Sequence, residues 1–209
     1  MSRSLLIWGS GGHAKVVLEI AQSTGLFDRI EFIDDDPKKA ATSFAGCALI
    51  GGAEELPRLA GRSFIVAIGD NGARSRCFNR ALQHGLLPVS LIHRAALLSP
   101  SASIGSGSVV MAGVIVNAGA VIGENCILNS GAIVEHECTI EAHVHISPRA
   151  VLGGAVHIKR FAHIGMGAIL LPGMLAGEES VVGAGSVVLH EVPPCCTVVG
   201  VPARVLVGK

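Results

Sequence analysis

Residues 122–146 read IGENCILNSGAIVEHECTIEAHVHI. Ile122, Leu128, Val134, Ile140 and Ile146 recur at every sixth position. Extended outward, the series runs from Ile104 to Val188 and is apolar at every step, with a branched aliphatic everywhere except Ala176. Two positions ahead of it runs a second, mostly small series that includes Ala120, Cys126, Ala132 and Cys138. A period of six fits neither an α-helix nor a plain alternating strand. It fits a coil of short flat strands whose aliphatic side chains fill the interior while small residues occupy the corners. One hexapeptide cannot bury its aliphatic alone, so each depends on the coils above and below. Three hexapeptides close one triangular turn, and residues 102–191 hold about five such turns. Glycine follows the aliphatic at 105, 123, 153, 165, 177 and 183, where it is expected to supply the positive φ of the corners.

The preceding residues follow another grammar. Leu5–Trp8, Ile30–Ile33, Phe64–Ile68 and Pro88–Ile92 read as strands, and segments near 14–23 and 72–84 as helices. Strands alternating with helices predict a small parallel α/β sheet. We therefore expect an α/β domain over residues 1–98 and a parallel β-helix over 99–209.

The first strand runs into Gly9-Ser10-Gly11-Gly12-His13-Ala14, which satisfies G-x-G-x-x-G/A, and Asp34 follows about 20 residues later at the end of the second strand. Glycines let a phosphate approach the backbone, and a helix N-terminus offers free N–H groups. A dehydrogenase is the obvious rival. With only about 95 residues ahead of the repeat, there is room for one nucleotide rather than a full dinucleotide fold. His13 is placed for a pyrophosphate, and Asp34-Asp35-Asp36-Pro37 is placed for ligand contact, although Asp and Pro also favour a plain turn.

Composition narrows the function. Lys+Arg and Asp+Glu are each 16 and aromatics are 3%. There is neither a basic footprint nor a stacking platform for nucleic acid. Apolar runs are broken every few residues, so no membrane insertion is expected. With no signal-peptide pattern, the six cysteines read as reduced thiols of a cytoplasmic protein.

Five of the nine histidines (His136, His143, His145, His157, His163) fall in residues 130–165. His136 lies between Glu135 and Glu137, and imidazole beside a carboxylate suits a general base. Either acid could be the partner. His145 and His163 should stack on successive coils. They could serve as two zinc ligands, but no metal is expected.

Together, Gly9–His13, Phe32–Asp35, Val66–Asn71, Leu91–His93, Ile133–Cys138 and Gly200–Arg204 resemble the bacterial sugar acetyltransferases of the hexapeptide class, over essentially the whole chain. The nearest resemblance is to UDP-4-amino-sugar N-acetyltransferases of bacillosamine-type pathways, with sialic acid O-acetyltransferases a related group. The resemblance implies a left-handed β-helix, acetyl-CoA as cosubstrate, a nucleotide-sugar acceptor and a homotrimer with sites between chains. It implies His136 as catalytic base with Glu137 in support, and Gly11, Gly12, His13, Asp34, Asp35 and Gly69 at the nucleotide sugar. His145, Gly154, Met166 and Ala184 fall at acetyl-CoA positions. Lys15 and the extra histidines depart from the pattern. A sialic acid O-acetyltransferase and a zinc-binding or structural solenoid are the alternatives.

Overall fold

The computed structural model describes residues 3–36 and 43–206; Pro37, expected to end the acidic turn, lies outside them. The α/β unit comprises β1 (Ser4–Trp8), α1 (Gly12–Thr24), β2 (Arg29–Ile33), β3 (Ser43–Phe44), β4 (Cys47–Leu49), β5 (Ser63–Val66), α2 (Asn71–Gln83) and β6 (Leu87–Pro88). The sheet order is β3-β4-β2-β1-β5-β6. Only the β3–β4 pair is antiparallel. Leu5, Ile7 and Phe32 are fully buried at its centre. The β3–β4 hairpin and a short 3₁₀ turn at Ala53–Arg58 went unread in the sequence.

The predicted last strand, 88–92, is divided. Leu87–Pro88 pairs with β5, whereas Leu91–Ile92 pairs with Val109–Val110 in the β-helix. The solenoid sheets therefore begin ahead of the boundary expected from sequence. Ser90 makes the break, its hydroxyl donating to the Gly105 carbonyl at 2.8 Å.

From there the chain winds into three parallel sheets. Ile127 pairs with His145 and His145 with His163 on the first face; Ile133 pairs with Val151 on the second; Val121 pairs with Thr139 on the third. Each partner lies one eighteen-residue turn along. The inward aliphatics are buried throughout the middle coils, from Val110 to Val188. The outward row of the first face is buried as well at Leu91, Val109 and Ile127, because α1 and α2 cover it. Phe78 of α2 sits so close over Gly107 that a Cβ there would fall 2.4 Å from its ring.

The glycines that follow the aliphatics do not supply the positive φ. That conformation falls two residues later, at positions such as Gly107, Asn125, Glu137, His143, Ala155 and Phe161. The glycines allow backbones to approach instead: a Cβ on Gly105 would lie 2.4 Å from the Gly123 carbonyl carbon, and one on Gly123 would lie 2.7 Å from Ala142 N.

This close approach sets a stability test. Gly123→Ala should destabilise the fold by about 1–3 kcal/mol, because the added methyl meets backbone that has no room to move. The urea midpoint measures it, and an unchanged midpoint would show that the coils are looser than described.

Candidate active site

The glycine loop is held open by Asp34. Its Oδ2 accepts from Ser10 N at 2.7 Å and Ser10 Oγ at 2.6 Å, and its Oδ1 accepts from Asp36 N at 2.9 Å. Asp35 Oδ1 accepts from Ala53 N at 2.7 Å. Gly9, at φ 112°, donates to the Ile33 carbonyl, and a Cβ on it would lie 3.0 Å from the Ala67 carbonyl oxygen. Among the described residues no side chain caps α1, so its first N–H groups open onto a cavity of about 430 Å³. Gly11, Gly12, His13, Asp34, Asp35 and Gly69 all line that cavity. The two acids thus shape the loop with the carboxylate oxygens named here.

His13 reaches from this loop toward the β-helix. Burial, reinforced by the Arg74 charge, lowers its pKa to about 4, and its Nε2 is buried without a hydrogen-bond partner among the described residues. His145 stacks on His163 with centroids 4.8 Å apart and planes 16° from parallel. Burial first, then the neighbouring His163, Arg74 and His13, bring His145 to about 3. His143, stacked on Phe161 at 4.9 Å, is brought to about 4 by burial, then Arg74 and Arg160. These rings are neutral at pH 7, which suits a seam packed around a guanidinium.

His136 stands apart, on the edge between the second and third faces. Glu137 is at positive φ, 59°, and its Oε2 lies 3.3 Å from His136 Nδ1. The carboxylate thus accepts from Nδ1–H and leaves Nε2 available as a base. Glu135 turns away, its Oε2 accepting from Asn117 at 3.0 Å. Of the two acids, the structure brings Glu137 to the ring. One coil along, Gly154 lies directly against His136: a Cβ there would be 2.6 Å from both Cε1 and Nε2. Glycine at 154 leaves the space the ring occupies.

The PglD N-terminal domain model matches residues 4–81, and the bacterial transferase hexapeptide model matches residues 119–154. A histidine-to-alanine variant of GDP-perosamine N-acetyltransferase from Caulobacter crescentus, solved with CoA and GDP-perosamine, is 36% identical, with 98% of this chain and 97% of that one superposed at a TM-score of 0.93. The acetyltransferase domain of PglB from Neisseria gonorrhoeae, solved with acetyl coenzyme A, is 39% identical over 99% and 100% of the two chains, at a TM-score of 0.94. The chain belongs to the hexapeptide-repeat acetyltransferases of nucleotide-linked sugars. Among curated relatives, UDP-N-acetylbacillosamine N-acetyltransferase of Bacillus subtilis is 39% identical over 53% of this chain and 52% of its own length. Serine acetyltransferase of Bacillus licheniformis matches only 22% of this chain and 21% of itself. The matches to curated relatives thus span between about a sixth and about a half of their length.

Within this acetyltransferase, the four residues expected at acetyl-CoA do not meet in one chain. Gly154 shares the His136 edge. Met166, 61% exposed, and the exposed Ala184 lie on adjacent coils of the opposite edge of the second face, with Gly185 N donating to the Met166 carbonyl. His145 sits on the first face at the seam, its Nε2 3.2 Å from Asn129 Nδ2. His145 and His163 stack face to face while His163 Nε2 engages Ser147 at 2.8 Å, so their free electron pairs do not converge. Among the described residues no group of three or more His, Cys, Asp or Glu is placed to hold a metal ion.

Arg74 was missed in the sequence. It is 1% exposed, and burial lowers its pKa to about 10, so it stays charged. A signal existed, since Arg74, Phe78 and Ala81 share one helical face and all three are buried.

The buried histidines set a pH dependence. Their folded-state pKa values lie below the free value of 6.5. The unfolded chain therefore binds more protons once pH falls below about 6.5, and stability present above that pH is lost progressively toward pH 4. The melting temperature should drop between pH 7 and pH 5. A flat profile over that range would contradict the burial of these rings.

Proposed function

We propose that this protein transfers the acetyl group of acetyl-CoA to the amine of a UDP-linked 4-amino-4,6-dideoxy sugar, working in the cytoplasm as a homotrimer. The observation that carries the reading is His136 seated on Gly154 with Glu137 at its other nitrogen. His136 Nε2 removes the amine proton as the nitrogen attacks the thioester carbonyl. The C–N bond forms, the C–S bond breaks, and the imidazolium returns its proton to the departing thiolate. Glu137 holds the tautomer and stabilises the imidazolium. Gly11, Gly12, His13 and Gly69 would hold the nucleotide at the α1 N-terminus, with Asp34 and Asp35 shaping that loop. Gly154, Met166, Ala184 and His145 would border acetyl-CoA.

The separation of Met166 and Ala184 from His136 supports a shared site. Both edges flank the second face, whose outward row of Leu97, Ile115, Ile133, Val151, Ile169 and Val187 is aliphatic. Packing that row against another copy brings one chain's edge beside the other's. Cys138 is fully buried and its thiol donates to the Gly153 carbonyl at 3.2 Å. Burial also pushes its pKa up. This argues for direct transfer rather than an acetyl-enzyme. Among the described residues no helix is long and apolar enough to cross a membrane.

Steady-state kinetics test the assignment. His136→Ala should lower kcat about 10²–10⁴-fold with little change in either KM. Gly154→Ala, which displaces the ring, should lower kcat by at least about tenfold. A His136→Ala enzyme of wild-type turnover would overturn the assignment.

A further inference from the structure

Arg74 carries a positive charge into a fully buried place and, among the described residues, meets no carboxylate at hydrogen-bond distance. It meets carbonyls. Nη1 donates to Ile68 O at 3.2 Å and Gly69 O at 3.1 Å. Nε donates to Asn125 O at 2.9 Å, and Nη2 donates to His143 O at 2.8 Å and Asn71 Oδ1 at 2.7 Å. Asn71 completes the set through Nδ2, which donates to Phe161 O at 2.8 Å.

The three β-helix carbonyls are equivalent. Asn125, His143 and Phe161 occupy the same corner on successive coils, all at positive φ. That turned backbone takes their oxygens out of the rung-to-rung ladder and points them toward α2. Left in a buried seam without donors, each would carry the desolvation penalty of an unpaired polar group. The guanidinium fork spans two coils and the Ile68–Gly69 loop at once. A lysine ammonium, a single point with three donors, cannot. The remaining end of this network is functional, because Ile68 and Gly69 line the nucleotide cavity.

We propose that Arg74, together with Asn71, is a positioning residue that locks the Ile68–Gly69 wall of the nucleotide cavity onto the β-helix and thereby sets the affinity for the acceptor. The proposal rests on the reading that this cavity holds the nucleotide sugar. It weighs on the acceptor more than on acetyl-CoA: of the residues assigned to acetyl-CoA, Gly154, Met166 and Ala184 lie on coil edges and His145 alone lies at the seam.

The test uses the full chain and calorimetric titration with UDP and GDP, alongside KM values for the sugar nucleotide and acetyl-CoA. Arg74→Lys should weaken nucleotide binding and raise acceptor KM by about tenfold or more, with acetyl-CoA KM within about twofold. Asn71→Ala should act in the same direction to a smaller degree, and it carries the test if Arg74→Lys does not fold. Val110→Ala, a core change one coil away from the clamp, controls for lost stability and should lower the melting temperature without moving either KM. Wild-type nucleotide affinity in both seam variants, or an equal loss in Val110→Ala, would overturn the positioning role. Absence of nucleotide binding by the wild type would instead overturn the reading of the cavity itself.

Discussion

Stacking of each inward aliphatic on its equivalent eighteen residues along is the constraint on which the rest of the molecule depends. It forces every coil to the same length. It therefore fixes which outward residues become neighbours. Ile127, His145 and His163 form one column, while His136 and Gly154 meet at one corner. A single inserted residue would rotate every later side chain away from its column, so the repeat that builds the core also sets the site. Backbone at left-handed corners is the recurring cost. It falls on residues such as Glu137 and His143, whose side chains contact His136 and Phe161 as glycine could not.

The second dependence is the seam. The α/β unit covers the first face with α1 and α2, and buries there a guanidinium and several neutral imidazoles. A buried cation is tolerated because carbonyls from both sides saturate its donors. Burial first, reinforced by the same charge, keeps His13, His143 and His145 neutral. The glycine-loop cavity and the β-helix are thus joined by polar contacts with defined directions. Such contacts fix relative orientation better than an apolar seam, which can slide.

Much of this was legible in the sequence. The period of six is unambiguous because the inward position is aliphatic at almost every step from Ile104 to Val188. The glycine loop was legible because strand, turn, helix and Asp34 fall in order, and the six residues expected there do line one cavity. Asp34 and Asp35 line that cavity and also accept from loop backbone, a second use that spacing does not reveal. Glu135 and Glu137 could not be distinguished by spacing. Only the turn at Glu137 decides which carboxylate returns to the ring. The glycines after the aliphatics were visible, but their purpose was not, since close approach between coils is a property of stacking and not of local sequence. Arg74 hid among Arg76 and Arg80 in a helix of low hydrophobicity, where an arginine ordinarily faces solvent.

The central claim is that this geometry moves an acetyl group onto an amine of a nucleotide-linked sugar. Mass spectrometry of the acceptor after incubation of the wild-type protein with acetyl-CoA tests it most directly, with UDP- and GDP-linked 4-amino sugars and sialic acid offered in parallel. One acetyl group is expected on a nucleotide-linked amino sugar, with the UDP form preferred and sialic acid unchanged. Acetylation of sialic acid alone, or of none of these acceptors, would contradict it.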